Sequence, residues 1–382
     1  GVLVWVQHLL GTGHLRRALT IAEALAGEGV PVTLVSGGRA VPWRPRHDVT
    51  FVQLPPITAA DASFRTLLGP DGAPVSEALR AERRAILLDL LASTRPTVLM
   101  TEMFPFGRRA FRAELLPLLE KAHGMRPRPW VVASLRDVLV TKSDPAKLAV
   151  MRDLCLAWYD RVLVHGDPRL IPLEATFPLA ADIAHLVTYT GYVHGGAREV
   201  PTERERREVL VSAGGGAVGR RLLETATAAY PLSNLRELPW RLIVGTNLPE
   251  PDHIALREKA PAGIVVERFR DDLPELLANA VVAVSQAGYN TVVEALAART
   301  PMVLVPFAAE GEDEQTVRAR RLHDLGLAEV VEEAEPTPAS LARTIDRAAA
   351  RGPAAGVAIR TDGAERTTRI VRELLEQGIA HG

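Results

Sequence analysis

The sequence predicts an α/β protein made of two Rossmann-like domains in tandem, facing a central cleft. Short runs of apolar and β-branched residues alternate with helical patterns along most of the 382 residues, which is typical of parallel sheets covered by helices. A polar and charged stretch interrupts this alternation once, and the alternation then restarts. The first strand of each half also runs into a glycine-rich turn, and open parallel sheets bind their ligands at such turns.

The N-terminal domain is predicted to comprise residues 1–195. It opens with Val2–Val6, a continuous apolar run typical of a strand that is buried on both faces. The helix that follows ends at Gly27 and Gly29. Its apolar residues share one face, namely Leu15, Ala18, Leu19, Ala22 and Leu25. Five further strands are predicted, at Val30–Val35, Val49–Leu54, Thr97–Thr101, Trp130–Ser134 and Arg161–His165.

Residues 196–207 form the predicted linker, and the C-terminal domain follows at residues 208–363. Its strands are predicted at Glu208–Ser212, Trp240–Val244, Gly263–Glu267, Val281–Ser285 and Met302–Phe307. Residues 364–382 carry a helical pattern with no strand after it. We expect this last helix to be able to pack back on the N-terminal domain.

Composition narrows the class of protein. Lys and Arg number 45 against 46 Asp and Glu, a balance that argues against a nucleic-acid partner. Cys155 is the only cysteine, so no disulfide is expected, and a reducing, cytoplasmic location fits. No apolar run approaches the length of a membrane span. The basic and apolar run Arg80–Leu91 is compatible with peripheral contact at a membrane surface, but we favour a helix packed on the core.

The first glycine turn carries a candidate base. Gly11, Thr12, Gly13 and His14 stand where a strand passes into a helix, and a histidine there can accept a proton near neutral pH. The alternative is that this histidine only forms hydrogen bonds within its own loop.

Two other loops of the N-terminal domain, beyond Thr101 and Ser134, bring further polar residues to the predicted edge of the sheet. Glu102, Arg136 and Asp137 would face the same edge as His14, with a surface ion pair as the alternative.

The second glycine turn predicts a phosphate site. Ser212 ends a strand, and Gly214, Gly216 and Gly219 complete a G-x-G-x-x-G pattern between strand and helix. A nicotinamide-binding domain would carry an acidic residue at the end of the next strand, to hold the ribose. That strand ends at Asn247 without an acid, which disfavours a dehydrogenase.

The third turn contains Ser285, Gln286 and Gly288 between a strand and a helix. Glu294 follows within the first two turns of that helix, where a carboxylate can accept hydrogen bonds from a ribose diol. A helix-terminal charge that complements the dipole is the alternative. Beyond the next strand, Glu312–Gln315 could hold sugar hydroxyls or form a solvated acidic turn.

These residues resemble glycosyltransferase family 28, within the GT-B superfamily. The spacing from Gly288 to Glu294 matches the family's spacing from glycine to ribose-binding glutamate, and Glu314–Gln315 fall where the family places a Gln-Gln pair near the donor sugar. The resemblance covers the whole chain and is most specific at Ser285–Glu294. It is nearest to MurG-like glycosyltransferases that share the TE-x-FPFGRR and SLRD segments.

The resemblance implies an N-terminal acceptor-binding domain and a C-terminal nucleotide-sugar-binding domain. It assigns the donor, a UDP-sugar or another nucleoside diphosphate sugar, to a set of residues in four turns and at one strand end. They are Gly13, Ser212, Gly214, Gly215, Gly216, Arg268, Phe269, Ser285, Gln286, Gly288, Asn290, Thr291, Glu294, Glu314 and Gln315.

The implied reaction is an inverting transfer to an acceptor hydroxyl, with no metal and no cofactor. His14 would be the base, with Glu102, Asp137 and His8 as weaker candidates. Gln286 stands eight positions before Glu294, where retaining GT-B enzymes carry a glutamate, and this favours inversion. Two alternatives remain, a nucleotide-sugar hydrolase on the same fold and a non-catalytic nucleotide-sugar-binding protein.

Overall fold

The computed structural model describes residues 1–42, 45–61, 64–139, 144–195, 206–214, 219–245, 248–307, 314–331, 336–354 and 358–378. The chain divides into two compact units. Unit 1 comprises Gly1–Pro168, Pro172–Gly195 and Asp362–Gly382, and unit 2 comprises Arg169–Ile171 and Gly196–Thr361. Most of the predicted linker, 196–205, lies outside the described residues.

Unit 1 contains a parallel sheet of seven strands in the order β3-β2-β1-β6-β7-β8-β9. Its strands are β1 (Val2–Val6), β2 (Val32–Ser36), β3 (Val49–Gln53), β6 (Val98–Glu102), β7 (Trp130–Arg136), β8 (Arg161–His165) and β9 (Val187–Tyr189). A small antiparallel pair, β4 (Thr58–Ala59) and β5 (Leu67–Leu68), lies between β3 and β6 in the chain. The predicted strands are thus found with ends shifted by a few residues, and β9 was missed because its three residues are too short to show a pattern.

The helices of unit 1 cover this sheet. They are α1 (Gly13–Gly27), α2 (Glu77–Thr94), α3 (Arg112–Gly124), α4 (Pro145–Trp158) and the last helix of the chain (Gly363–Gln377). That last helix returns to unit 1, where the Gly363 N–H donates to the Tyr192 carbonyl over 3.0 Å. A side chain at Gly363 would come within 2.4 Å of the Gly191 carbonyl oxygen, so this helix start requires a glycine.

The buried face of α1 differs from the predicted one. Leu15, Ala18, Ala22 and Leu25 are buried as expected, but Ile21 and Arg17 are buried as well, whereas Leu19 is only partly covered. An arginine in this position cannot be read from apolar periodicity, because the pattern counts it as polar and exposed.

Unit 2 contains a parallel sheet of six strands in the order β12-β11-β10-β13-β14-β15. Its strands are β10 (Glu208–Ser212), β11 (Trp240–Ile243), β12 (Ile264–Glu267), β13 (Ala280–Ser285), β14 (Met302–Leu304) and β15 (Glu329–Val330). Its helices are α5 (Arg220–Ala229), α6 (Glu250–Lys259), α7 (Leu273–Asn279), α8 (Tyr289–Ala297), α9 (Glu314–Asp324) and α10 (Pro338–Arg351), so the last helix of the chain is α11. Both units are therefore Rossmann-like, as the sequence predicted.

The run Arg80–Leu91 lies within α2, with Arg83, Leu87 and Leu91 buried. Arg83 forms a wholly buried ion pair with Glu114 of α3, Nε to Oε1 at 2.9 Å. In the part of the chain that the structure describes, no helix combines the length and the apolar character needed to cross a membrane.

Candidate functional site

The carboxyl ends of β1 and β6 bring two predicted residues of unit 1 together. These strands are neighbours, with Trp5 paired to Thr101, so the loop after β1 lies beside Glu102 at the end of β6. His14 is the second residue of α1 and turns its ring towards this edge. Its Nδ1 lies 2.8 Å from the Glu102 Oε1, although 88 residues separate the two in the chain.

Arg17 joins this pair from the next turn of α1. Its Nη2 contacts the same Oε1 of Glu102 in a short ion pair, and lies 3.5 Å from the His14 Nδ1. Both Arg17 and Glu102 are almost completely buried, while His14 retains 19% exposure of its side chain. Arg17 was not predicted from the sequence, where its position one helical turn after His14 was the available signal.

The charges of these groups are set by burial and by one another. Burial is the largest influence on His14 and lowers its pKa to about 4, although the Glu102 carboxylate opposes this shift. Burial alone would raise the pKa of Glu102, but His14 and Arg17 outweigh it and bring the pKa to about 2. At neutral pH, His14 is therefore neutral and Glu102 is ionised.

An ionised carboxylate only accepts hydrogen bonds, so the His14 Nδ1 must carry the proton that it shares with Glu102. The Nε2 of the neutral ring then keeps its lone pair and can accept a proton. A carboxylate that fixes the tautomer and orientation of a histidine is the usual support for a general base. The arrangement suits removal of a proton from a hydroxyl.

The loop after β6 adds a second arginine. Met103 and Arg108 both adopt left-handed backbone conformations, with φ of 64° and 56°. Such conformations are costly for residues other than glycine and often occur at functional sites. The Arg108 Nε donates to the Gln7 carbonyl over 2.8 Å, which ties this loop to the loop after β1. Burial lowers the pKa of Arg108 to about 10, so it stays charged near Glu102.

The weaker candidates of unit 1 have other contacts. His8 is buried, with its Nε2 3.0 Å from the Arg39 carbonyl oxygen, and burial lowers its pKa. Asp137 is also buried, and its Oδ2 accepts from the Tyr192 hydroxyl over 3.1 Å. These contacts fix the neighbouring loops, and a catalytic role for either residue stays a prediction.

A buried histidine that the sequence analysis missed lies at the end of β8. The His165 Nε2 is 2.8 Å from the Ser134 hydroxyl, and its Nδ1 is 2.8 Å from the Thr190 hydroxyl. Burial, reinforced by the Arg17 charge, lowers the pKa of His165 to about 3. The ring is therefore neutral and links the ends of β7 and β8 with the residue that follows β9.

In unit 2, the turn after β10 is partly described. Ser212 ends the strand, and its hydroxyl accepts from the Gly214 N–H over 3.3 Å. Gly214 has a φ of 68°, which requires a glycine. Gly215 and Gly216 lie outside the described residues, and α5 begins at Arg220.

The turn between β13 and α8 holds the other predicted donor residues. Ser285 ends β13, and Gln286 and Gly288 lie in the turn. Asn290 and Thr291 lie in the first turn of α8 and are half-buried. Glu294 lies in its second turn and is 7% exposed.

Arg318 of α9 supports this turn, and the sequence analysis missed it. Its side chain is wholly buried, and its Nη1 donates to the Ala287 carbonyl over 2.7 Å. Its Nη2 contacts Glu314 at 3.0 Å. Glu314, predicted near the sugar, thus forms an ion pair with Arg318, and the Gln315 Oε1 accepts from the Phe307 N–H over 3.1 Å. Glu312 and Asp313 are outside the described residues.

The end of β12 leads into Arg268 and Phe269, two of the residues that the resemblance assigns to the donor. The Arg268 carbonyl accepts from the Gly245 N–H over 3.0 Å, which continues the pairing with β11. The Arg268 side chain donates to the Leu248 carbonyl over 2.9 Å and pairs with Glu250, so it fixes the start of α6. Phe269 is 51% exposed, an unusual environment for a large apolar ring.

Metal ligands do not gather in either unit as far as the structure describes them. No group of three or more His, Cys, Asp or Glu side chains there could hold a metal ion.

Residues 209–368 match the model of the glycosyltransferase family 28 C-terminal domain. A relative from Xanthomonas axonopodis pv. citri is 28% identical, over 94% of this chain and 79% of its own length. A second relative, from Synechococcus sp., is 35% identical, but that alignment covers 36% of this chain and only 37% of the relative. Both are named as UDP-N-acetylglucosamine–N-acetylmuramyl-(pentapeptide) pyrophosphoryl-undecaprenol N-acetylglucosamine transferase.

Two solved structures share the fold. The crystal structure of Acinetobacter baumannii MurG aligns with a TM-score of 0.62 at 17% identity, over 98% of this chain and 99% of that one. The calicheamicin glycosyltransferase CalG4 aligns with a TM-score of 0.59 at 18% identity, over 99% of this chain and 94% of that one.

Residues 209–368 therefore form a glycosyltransferase family 28 C-terminal domain, and the two parallel α/β units have the fold that the MurG and CalG4 structures share. The chain is MurG-like in the sense that relatives aligned over most of its length are named as N-acetylglucosamine transferases.

Proposed function

We propose that this glycosyltransferase moves a sugar from a UDP-sugar to an acceptor hydroxyl, with inversion at the anomeric carbon and without a metal ion. The observation that carries the proposal is the contact of 2.8 Å between the His14 Nδ1 and the Glu102 Oε1 at the carboxyl edge of the unit 1 sheet. It supplies a neutral, oriented base in the unit assigned to the acceptor. His14 takes the hydroxyl proton as the oxygen attacks the anomeric carbon.

Unit 2 is proposed to bind the donor, as the family 28 match supports. The exposed ring of Phe269 offers a face for the uracil. Glu294, in the second turn of α8, is proposed to accept hydrogen bonds from the ribose hydroxyls. The choice of uridine draws on the names of the relatives, which specify a UDP-sugar for those proteins.

Metal independence follows from how the leaving diphosphate would be stabilised. The turn between Ser212 and Gly219 precedes the N-terminus of α5, and backbone N–H groups at a helix start attract phosphate. Direct attack by a hydroxyl that His14 activates is a single displacement, so inversion is its stereochemical consequence.

The acceptor is proposed to be a hydroxyl compound bound by unit 1. The lipid named for the relatives makes peripheral membrane contact part of this proposal. The half-exposed Leu10 and Phe64, at 45% and 40%, would serve such contact.

A screen of nucleotide sugars by thermal shift, followed by transfer assays, tests the proposal. A bound donor raises the free energy of unfolding by about 2.7 kcal/mol at about 100 times its dissociation constant. We expect stabilisation by UDP-sugars, transfer that persists in EDTA, and a product of inverted anomeric configuration by NMR. A His14→Ala variant should lose about 10²–10⁴-fold in kcat while donor affinity stays nearly intact.

Each competing result would reject a defined part of the proposal. Stabilisation by other nucleotides alone would reject uridine, and loss of transfer in EDTA would reject metal independence. Donor cleavage that no acceptor accelerates would indicate a hydrolase. Donor binding with no turnover in the wild type would indicate a non-catalytic binding protein.

A further inference from the structure

Arg17 stands in a place where an apolar residue would be expected. It lies on the buried face of α1 between Leu15 and Ala18, and it is 3% exposed. A buried guanidinium is stable only when an opposite charge and hydrogen bonds compensate it. Its guanidinium forms an ion pair with the Glu102 Oε1, the same oxygen that faces the His14 Nδ1.

We propose that Arg17 is a positioning residue for His14. Its guanidinium neutralises the Glu102 carboxylate, so that His14 stays in the neutral tautomer with Nδ1–H towards Glu102 and Nε2 open to a substrate proton. This inference rests on the proposed role of His14 as the base.

The shared oxygen explains how Arg17 acts. A buried carboxylate with His14 as its main partner would favour the imidazolium, because the proton would then supply the missing positive charge. With Arg17 on Oε1, that charge is already present, and a second one on His14, 3.5 Å from the Arg17 Nη2, is disfavoured. The direction agrees with the effect of Arg17 on both neighbours, since it lowers the pKa of His14 and of Glu102.

Other charged groups near His14 come from the surrounding elements. Arg108, in the loop after β6, also lowers the pKa of His14, but its Nε is held by the Gln7 carbonyl. His165, at the end of β8, is neutral and bonded to two hydroxyls. Arg108 therefore adds positive charge near His14, but it does not take the place of Arg17 at the Glu102 Oε1. Removal of Arg17 should raise the pKa of His14 by a measurable amount, although Arg108 continues to lower it.

15N NMR of the histidine ring nitrogens in labelled protein tests the role of Arg17, and it needs neither donor nor acceptor. The His14 signals are assigned from a His14→Gln variant. In the wild type we expect a neutral ring protonated at Nδ1 at pH 7, with a pKa of about 4. An imidazolium at pH 7, or a neutral ring protonated at Nε2, would overturn the proposal without any variant of Arg17.

Two variants then isolate the effect of Arg17 on the pKa of His14. In Arg17→Met, we expect the pKa of His14 to rise by about one unit or more, a tenfold increase in proton affinity. Arg17→Lys keeps the charge and should restore most of the wild-type value. The ring signals of the remote His123, whose Nε2 lies 3.0 Å from the Trp158 carbonyl oxygen, should keep their wild-type chemical shifts at pH 7 in every folded variant and so report that the fold is intact.

An unchanged pKa of His14 in folded Arg17→Met would refute the inference. If Arg17→Met does not fold, the tautomer of His14 in the wild type still tests the inference. A His14 ring that is protonated at Nε2 alone, or is an imidazolium, at pH 7 in Arg17→Lys would also refute it. Because no sugar nucleotide is present, these results are independent of whether the protein transfers a sugar. Failure of the donor screen would overturn the proposed function alone.

Discussion

Replacement of Glu102 by glutamine is the sharpest test of the candidate site. The amide has the shape of the carboxylate but no charge, so it cannot compensate Arg17 or fix the His14 proton on Nδ1 as strongly. The substitution therefore changes the electrostatics of one buried oxygen that two side chains share. We expect it to reduce both stability and catalysis.

The magnitude for stability follows from the pKa of Glu102. That pKa falls from 4.5 to about 2 on folding, so the ionised form stabilises the native protein above about pH 4.5. The stabilisation is lost as the pH falls towards 2. Because His14 is neutral at pH 7, the charge interaction lost in Glu102→Gln at that pH is chiefly the buried pair with Arg17, and the free energy of unfolding should decrease by about 3 kcal/mol. Breaking one partner of a buried ion pair typically costs about 3–5 kcal/mol, which agrees.

The magnitude for catalysis comes from the role of the base. A histidine that loses its orientation and tautomer should lose much of the contribution of general base catalysis, about 10²–10⁴-fold in kcat. Transfer is measured with a saturating donor, identified in the nucleotide-sugar screen, and the free energy of unfolding is measured by denaturant titration. Donor affinity should change little, because the donor is assigned to unit 2.

Glu114→Gln is the matched control. Glu114 is also a wholly buried carboxylate of unit 1, paired with the buried Arg83 at 2.9 Å. Its substitution should cost comparable stability and leave kcat nearly unchanged below the unfolding transition. If the two variants lose kcat equally, or if Glu102→Gln keeps the wild-type kcat, the assignment of Glu102 as the partner of a catalytic base is wrong.

Three further results are expected. Burial lowers the pKa of His165 to about 3, while the unfolded side chain titrates near 6.5, so the free energy of unfolding should decrease as the pH drops below about 6.5, by about 2–3 kcal/mol at pH 4.5. Denaturant titrations at pH 7 and 4.5 should show a smaller decrease for His165→Asn than for the wild type, and an equal decrease would contradict this prediction. Glu294→Ala should abolish most of the preference for the normal donor over its 2′-deoxyribose analogue and weaken donor binding about 10-fold or more. Val293→Ala, at a buried position of the same helix, should destabilise the protein but keep this preference. If the preference survives in Glu294→Ala, that carboxylate does not bind the ribose. Phe269→Ala should weaken UDP binding in calorimetry while changing the free energy of unfolding by no more than about 0.5 kcal/mol. Val265→Ala, at a 44% exposed position near the start of β12, should change neither quantity, and equal UDP affinity in both variants would reject base stacking on Phe269.

The sequence by itself determined the two-domain α/β architecture. Period and composition are local properties, and the buried strands Val2–Val6, Arg161–His165 and Glu208–Ser212 were predicted with the ends that the structure gives them. The strands β9 and β15 were missed because two or three residues cannot establish a period. Glycine turns and polar residues at strand ends also marked His14, Glu102 and Glu294 as candidates, since ligands of parallel sheets bind at those ends.

Only the tertiary structure decided which of these candidates meet. Strand order is not written in the sequence, and it is the pairing of β1 with β6 that places Glu102 beside His14. The same topology turns Asp137 towards Tyr192. The helical pattern of apolar residues would place Arg17 and Arg318 on the surface, yet both are buried. Burial is possible because carboxylate and carbonyl oxygens from distant segments compensate their charge. Local pattern identifies the edge of a sheet that binds ligands, whereas the pairing of charges there depends on contacts between residues far apart in the chain.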